Sequence, residues 1–403
     1  MASVPGGQYS FFANGQTVNA VEPSTGGSLP PPILGDFNLA VLTPETGSTL
    51  VPPTYQGVAL LLNDDNTGNI LDMVSGSYGV QVTDGEPHTI LAGSGNDTIF
   101  GGNGPDTIIG GSGADQIFGG NGRDLITGGS GADLIVGGSG KDTIIGGSGP
   151  DTIYAGHGGD QIMGGSGSTT IFAGDGPDTI IGGTGPTAIY GSIGSATITG
   201  GGGPTTITGG SGRDVITAGS GPTLIMGGAG KDTITGGSGA DTIYAGHGGD
   251  LIMGGSGPDL IFGDDGHDTI FGGGGPDTIF GGNGPAMIHG GVGADQIYLG
   301  GGHNTVFGGS GADTIDGGSG QNQIYTGTGG TLIQDSGTTG HDTVVGFNQA
   351  HGDAITFAGQ DTASVAHVVA TATVQGGSTM ITLPDGSTMT LVGITHVDST
   401  FFH

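Results

Sequence analysis

The chain has no cysteine and no tryptophan, only four lysines and arginines, and three glutamates among its 36 acidic residues. Each scarcity excludes something. Without cysteine no disulfide framework can brace the fold, so rigidity must have another source. Without clustered Lys and Arg the chain cannot neutralise a phosphate backbone, which argues against nucleic acid as a partner. A formal net charge of −32 disfavours anionic membranes as well. No apolar run approaches about 18 residues, so no transmembrane helix is expected. Met1 to Gly7 has neither the basic nor the apolar region of a signal peptide, so any export is expected to use a signal elsewhere. Glu22, Glu45 and Glu86 all precede residue 87, so no H-E-x-x-H zinc site can be built in the rest of the chain. No G-x-S-x-G elbow occurs and a cysteine nucleophile is excluded, so no enzyme is expected.

What the chain does have is glycine, 99 of 403 residues, and a period. The stretch Gly101-Gly102-Asn103-Gly104-Pro105-Asp106-Thr107-Ile108-Ile109 defines a unit G-G-x-G-x-D-x-I-x, with positions counted 1 to 9. Position 6 recurs from Asp97 to Thr331 in 26 steps of nine, giving 27 copies without insertion or deletion. Position 8 is Ile in every copy except at Val306. A register this strict implies a stacked, linear architecture. Glycines at positions 1, 2 and 4 allow positive φ and hence a tight turn. The last three positions form a short strand whose Ile points inward. Two copies, 18 residues, close one coil, and copies two apart stack about 4.8 Å from each other in a parallel sheet.

The expected fold class is therefore all-β: a parallel β-roll (β-solenoid) of about thirteen 18-residue coils with non-repeat β segments at both ends. Three regions are expected. Residues 1–83 form an N-terminal cap or assembly arm, punctuated by Pro30 to Pro32 and by Pro52 and Pro53, with strand-like runs at Leu39 to Leu42 and Val58 to Leu62. Residues 84–334 form the roll. Residues 335–403 form a C-terminal β cap with a strand-like Val365 to Val374 and a hairpin pairing Thr379 to Leu383 with Thr388 to Val392.

Position 6 follows the two-copy parity. One edge carries Asp97, Asp115, Asp133 and Asp151, then Thr169, Thr187, Thr205 and Thr223, then Asp241, Asp259, Asp277, Asp295 and Asp313. The other carries Asp106, Asp124, Asp142, Asp160 and Asp178, then Ala196, then Asp214, Asp232, Asp250 and Asp268, with Ala286, Asn304 and Asn322 beyond. A surface that is merely soluble would use both acids. The near-exclusive use of the shorter one indicates oxygens held close to the backbone as ligands for a hard divalent cation. Stacked carboxylates about 4.8 Å apart repel by about 0.9 kcal/mol per neighbour even in water, so the roll should need cations to form. The Thr column is expected to form a hydroxyl ladder where no charge needs neutralising. All four basic residues obey a 90-residue duplication, Arg123 with Arg213 and Lys141 with Lys231.

The nonapeptide, as in Gly101 to Ile109, resembles the calcium-binding repeats of the RTX family, and the likeness covers more than half the chain. The resemblance implies calcium held between loops of successive coils by position-6 carboxylates and backbone carbonyls. Adjacent same-edge Asp pairs then give about fourteen sites, with calcium in doubt along the Thr column. The stretch Asp342 to Phe402 resembles the terminal regions of RTX proteins exported by type I secretion, in its Gly-Phe, its Asp-Gly hairpin and its closing Asp-Ser-Thr-Phe-Phe. The resulting expectation is an extracellular or cell-surface protein with a structural, self-associating role in a surface layer, filament or biofilm matrix. The alternative is an adhesin or carbohydrate-binding module. It would meet cell-surface polysaccharide through an aromatic stripe at position 9 (Phe100, Phe118, Tyr154, Phe172, Tyr190, then Tyr244, Phe262, Phe280, Tyr298).

Overall fold

In a computed structural model, the described residues are 85–337 and 339–403, together with strands between residues 8 and 82. The side chains of residues 1–78 are outside this description, as are Pro30 to Pro32, Pro52, Pro53 and Asp84. The chain divides into two compact units, Met1–Pro204 and Thr205–His403. Each is a parallel β-solenoid, and the two hold about 15 turns between them.

Within the array the pairing repeats every 18 residues, so chemically equivalent positions stack. Ile108 pairs with Ile126, Ile126 with Ile144 and Ile144 with Ile162 on one sheet of the first unit. On the other sheet Ile117 pairs with Ile135 and Ile135 with Ile153. The second unit repeats this, with Ile243 on Ile261 on Ile279. Every position-8 side chain from Ile99 to Ile333 is at most 1% exposed, so the core of each unit is two facing ladders of β-branched side chains. Such side chains suit a pleated surface because their χ1 is already restricted.

The parallel stacking runs beyond the array, which raises the turn count above thirteen. In the first unit Phe37–Leu42, Ala59–Leu62, Gly79–Val82 and Thr98–Gly102 pair in that order, the steps shortening from 20 residues (Leu39 to Ala59) to 19 (Gly79 to Thr98). Ser48–Val51, Ile70–Met73 and Thr89–Leu91 do the same on the other sheet. An antiparallel hairpin, Gln8–Ala13 with Gln16–Val21, precedes them. In the second unit Leu332–Asp335 pairs with Ala354–Phe357, and His341–Val345 pairs with Thr388–Leu391.

The expected hairpin is present as Ser378–Thr382 antiparallel to Thr388–Leu391. The strand-like reading of Val365 to Val374 is corrected. Thr362–Thr371 is an α-helix, followed by a three-residue strand at Thr373–Gln375. Its valines suit a strand, but Asp361 and Ser364 form a reciprocal capping box at its N-terminus, and Val365 and Val368, three apart, are its buried face. The closing residues pack onto the last coil: Phe347 and Phe401 stack at 5.4 Å, and the Phe402 edge meets Phe357 at 5.9 Å.

Glycine at position 2 is demanded twice over. Gly129 has φ of 122°, and a Cβ there would lie 2.0 Å from the carbonyl oxygen of Gly111 in the preceding coil. Gly301, a glycine at position 3, has open space by contrast, the nearest atom to such a Cβ being 3.7 Å away. Gly129→Ala should therefore cost more than about 2 kcal/mol of stability, from the disfavoured φ and the overlap together. Gly301→Ala should be near neutral. Unfolding both in denaturant with calcium present checks the contrast, and equal midpoints would contradict it.

Candidate metal centre

The turns between strands place the position-6 carboxylates in a repeated setting. All eighteen aspartates named above are buried, between 1% and 4% exposed. Wherever an Asp stands one coil further on, the backbone N–H of the first donates to Oδ1 of the second, as from Asp97 to Asp115 at 2.8 Å and from Asp241 to Asp259 at 2.9 Å. The first unit has seven such Asp-to-Asp bonds. The second has seven more. These fourteen pairs are the fourteen neighbours expected from the parity. The Asp carbonyl in turn accepts the position-7 N–H of the next coil, for example Gln116 N–H to Asp97 O at 2.8 Å. One residue thus staples two coils through three backbone and side-chain atoms.

The other carboxylate oxygen is left over. In all of these aspartates except Asp97, Asp106 and Asp214, fifteen residues, Oδ2 is buried without a hydrogen-bond partner. It faces a small gap shared with backbone oxygen. A Cβ on Gly110 would lie 2.5 Å from Asp115 Oδ2 and 2.6 Å from Gly128 O of the next coil. On Gly254 it would lie 2.7 Å from Asp259 Oδ2 and 2.5 Å from Gly272 O. An ionised carboxylate oxygen can only accept, so carbonyls beside it leave the group unsatisfied unless a cation enters.

Asn304 and Asn322, which replace Asp, show what that gap wants. Asn304 Nδ2 donates to Asn322 Oδ1 at 2.9 Å, to Gly301 O at 3.2 Å and to Leu299 O at 3.5 Å. Asn322 Nδ2 donates to Gly317 O at 2.7 Å and Asp342 Oδ1 at 2.8 Å. The amide hydrogens satisfy, without a metal, the type of oxygens that converge on Oδ2 in the Asp turns. Asp353 closes the other column differently: Thr331 N–H and Asn348 N–H each bond one of its oxygens at 2.8 Å. Asp342 and Asp353 escape a nine-residue scan because they follow their partners by 20 and 22 residues. Among the described residues no three His, Asp or Glu side chains converge, so a cation in an Asp turn would draw most of its ligands from carbonyls. Oxygen donors alone, one carboxylate per turn and flexible carbonyls, fit calcium.

The Thr column corrects an expectation. Its hydroxyls reach carbonyls of their own turns. Thr187 Oγ1 donates within its own turn to Gly185 O at 3.0 Å, and Thr223 Oγ1 to Gly221 O at 3.1 Å. Position-6 N–H groups facing a Thr turn to the position-5 carbonyl of the next coil instead, as from Thr169 to Pro186 O at 3.0 Å. The Thr187 hydroxyl thus finds a carbonyl in its own turn, whereas the Thr223 side chain, next to the first Asp of the following run, also bonds Asp241 of the next coil.

Burial, opposed by the backbone N–H bond and reinforced by neighbouring carboxylates, pushes Asp115, Asp142, Asp151, Asp178, Asp241, Asp250 and Asp313 up to about 6. The same causes push Asp277 to about 7.

A β-solenoid with columns of buried, oxygen-only sites along its turns defines a metal-binding repeat scaffold. The model of the RTX calcium-binding nonapeptide repeat matches overlapping segments between residues 91 and 185 and between 190 and 333. The chain belongs to that family, whose repeats bind calcium and whose members are typically secreted. The crystal structure of the extracellular lipase LipA from Serratia marcescens is similar at 22% identity over 48% of this chain and 40% of the lipase, with a TM-score of 0.21. The match therefore spans less than half the length of that enzyme. No curated protein matches the chain. No helix among the described residues is long and apolar enough to cross a membrane.

Two outcomes are expected. Raised carboxyl pKa values mean that the metal-free roll binds protons more tightly than the unfolded chain does. That stabilisation is full below about 3.9 and is lost as pH rises through about 6 to 7. In chelator, the β signal by circular dichroism should fall as pH is raised from 5 to 8, and a rising signal would contradict the sign. Asp259 links Asp241 to Asp277. Asp259→Ala should therefore remove about two calcium ions from the stoichiometry measured by calorimetry, while Thr187→Ala should leave it unchanged.

Proposed function

We propose that the chain is a secreted structural protein whose array folds when calcium binds outside the cell and which then associates with copies of itself. The observation that carries this reading is the column of buried Oδ2 atoms without partners in a chain of formal charge −32. Such columns oppose their own burial, so a chain made in a calcium-poor compartment would stay open for export and close only where calcium is plentiful. Asp97, Asp106, Asp115, Asp124, Asp133, Asp142, Asp151, Asp160 and Asp178 in the first unit, and Asp214, Asp232, Asp241, Asp250, Asp259, Asp268, Asp277, Asp295 and Asp313 in the second, would hold the ions. Position-1 carbonyls such as Gly128 O and Gly272 O would assist. Bound calcium supplies positive charge and six to eight oxygen-coordination positions. Fourteen such ions would bring 28 charges against the −32, removing most of the repulsion between copies.

In this reading residues 342–402 carry the type I secretion signal, and residues 1–83 cap the roll or join it to a neighbour. Strands add readily to the open edge of a sheet, and those at 37–82 already extend the stack. The adhesin alternative loses its surface. The position-9 rings stack on one another along each sheet of the second unit, Tyr244, Phe262, Phe280 and Tyr298 at 4.7 to 4.9 Å. Phe271, His289, Phe307 and Tyr325 stack on the other sheet at 4.6 to 4.7 Å. Their faces are occupied by each other, leaving only edges to a ligand.

The test is sedimentation and circular dichroism of the full chain in chelator and in millimolar calcium. Calcium should raise the β signal several-fold and shift the protein into regular polymers. A monomer in calcium would refute the assembly, and an unchanged β signal would refute the calcium-dependent fold.

A further inference from the structure

Positive charge in this chain is confined to one repeat position. All four Lys and Arg stand at position 5, as Arg123, Lys141, Arg213 and Lys231, in copies of a single parity. Position 5 of the other parity holds only small residues and proline apart from Asn96. In the second unit the register Val215 to Thr233 to Leu251 to Thr269 stacks the residues two before them in successive coils. Arg213, Lys231, Gly249 and His267 therefore form one column. A cleft of about 470 Å³ runs along it, lined by those residues, by Asp214, Asp232 and Asp250 at position 6 and by Val215, Thr233, Leu251 and Thr269 at position 7. Gly249 keeps the cleft open: a Cβ there would lie 3.2 Å from Lys231 Cε and 3.2 Å from His267 O. The three lining aspartates are buried, Asp232 Oδ1 accepting from Asp214 N–H and Asp250 Oδ1 from Asp232 N–H, and calcium bound in their turns would neutralise their charge.

We propose that this cleft binds an anionic polysaccharide, carboxylated or sulfated, laid along the column. Four coils at about 4.8 Å span about 14 Å, a length for an extended polymer rather than a single small anion. Arg213 can fork onto a carboxylate or sulfate, and Lys231 adds a second charge one coil away. Val215 and Leu251, 46% and 38% exposed, give aliphatic surface for the C–H face of a sugar ring, and the Thr233 hydroxyl gives a polar partner. Nucleic acid fits less well, because two fixed cations are few for a phosphate backbone and the ladder rings offer no free face for bases. A second copy of this chain fits less well too, since its eighteen position-6 carboxylates are buried and the exposed Asp175 and Asp265 already face His157 and His247. The inference rests on the calcium-folded roll of the proposed function and not on its assembly.

The test uses the full calcium-loaded chain, with folding checked by circular dichroism. The probes are dextran sulfate, hyaluronate, neutral dextran and a single-stranded DNA oligonucleotide, titrated calorimetrically. Dextran sulfate or hyaluronate should bind with an affinity that falls as salt rises, and neutral dextran should not bind. Binding by only one of the two would assign the sulfated or the carboxylated class. The double change Arg213→Ala with Lys231→Ala should weaken binding about tenfold or more while leaving the β signal intact. Arg123→Ala with Lys141→Ala, in the first unit where Pro177 stands in place of His267, should weaken it less than about threefold. Equal losses from both double changes, absence of binding by either polyanion, or DNA binding as tightly as the glycans would each overturn the proposal. Loss of the β signal in wild type under the same calcium would instead count against the calcium-dependent fold itself.

Discussion

The bond from a position-6 N–H to the carboxylate of the next coil governs the rest of the structure. It requires an acidic side chain one atom group from the backbone, which is why Asp and not Glu fills the columns. It requires successive turns to superpose, which holds the step at 18 residues and stacks Ile on Ile. Superposed turns also bring the backbone of one coil against the next, so that a side chain at Gly129 would overlap Gly111 O. Burial of apolar surface stabilises the stack, but it is the stapling that sets where each residue goes.

The same staple creates the main liability. A carboxylate has two acceptor oxygens, and the backbone satisfies one. The chain contains three other solutions to the turn, each without a leftover acceptor oxygen: the amide of Asn304, the doubly bonded carboxylate of Asp353 and the self-bonded hydroxyl of Thr187. Repeating the Asp version in fourteen adjacent pairs leaves a buried acceptor oxygen in turn after turn, a row of sites suited to the calcium that repeats of this family bind.

Charge is partitioned accordingly. Eighteen acids lie inside the turns, and the few Lys and Arg lie at the position just before them, where the side chain can reach solvent. The aromatic residues at position 9 are absorbed by stacking along the coils, which stiffens each sheet and removes their faces from recognition. What is left for contact with other molecules is therefore the sheet edges, the position-5 column and the ends of the stack.

The period alone made much of this legible. Nine-residue spacing told which residues stack, Ile at position 8 told the core, and parity told the fourteen Asp neighbours, because a solenoid converts distance along the chain directly into distance in space. Reading stopped where the period broke. Asp342 and Asp353 complete the columns from offsets of 20 and 22 residues, and only coordinates reveal that longer loops still return to the same place. The valines of 365–374 were legible as strand, yet a capping box made a helix. The Thr187 hydroxyl had two possible acceptors, and the nearer carbonyl within the turn won over the neighbouring coil. Most of all, the sequence determined that carboxylates form columns, whereas only the tertiary structure decided that one oxygen of each is spent on the backbone and the other left facing carbonyls. That choice depends on how two turns meet in space, which no spacing records.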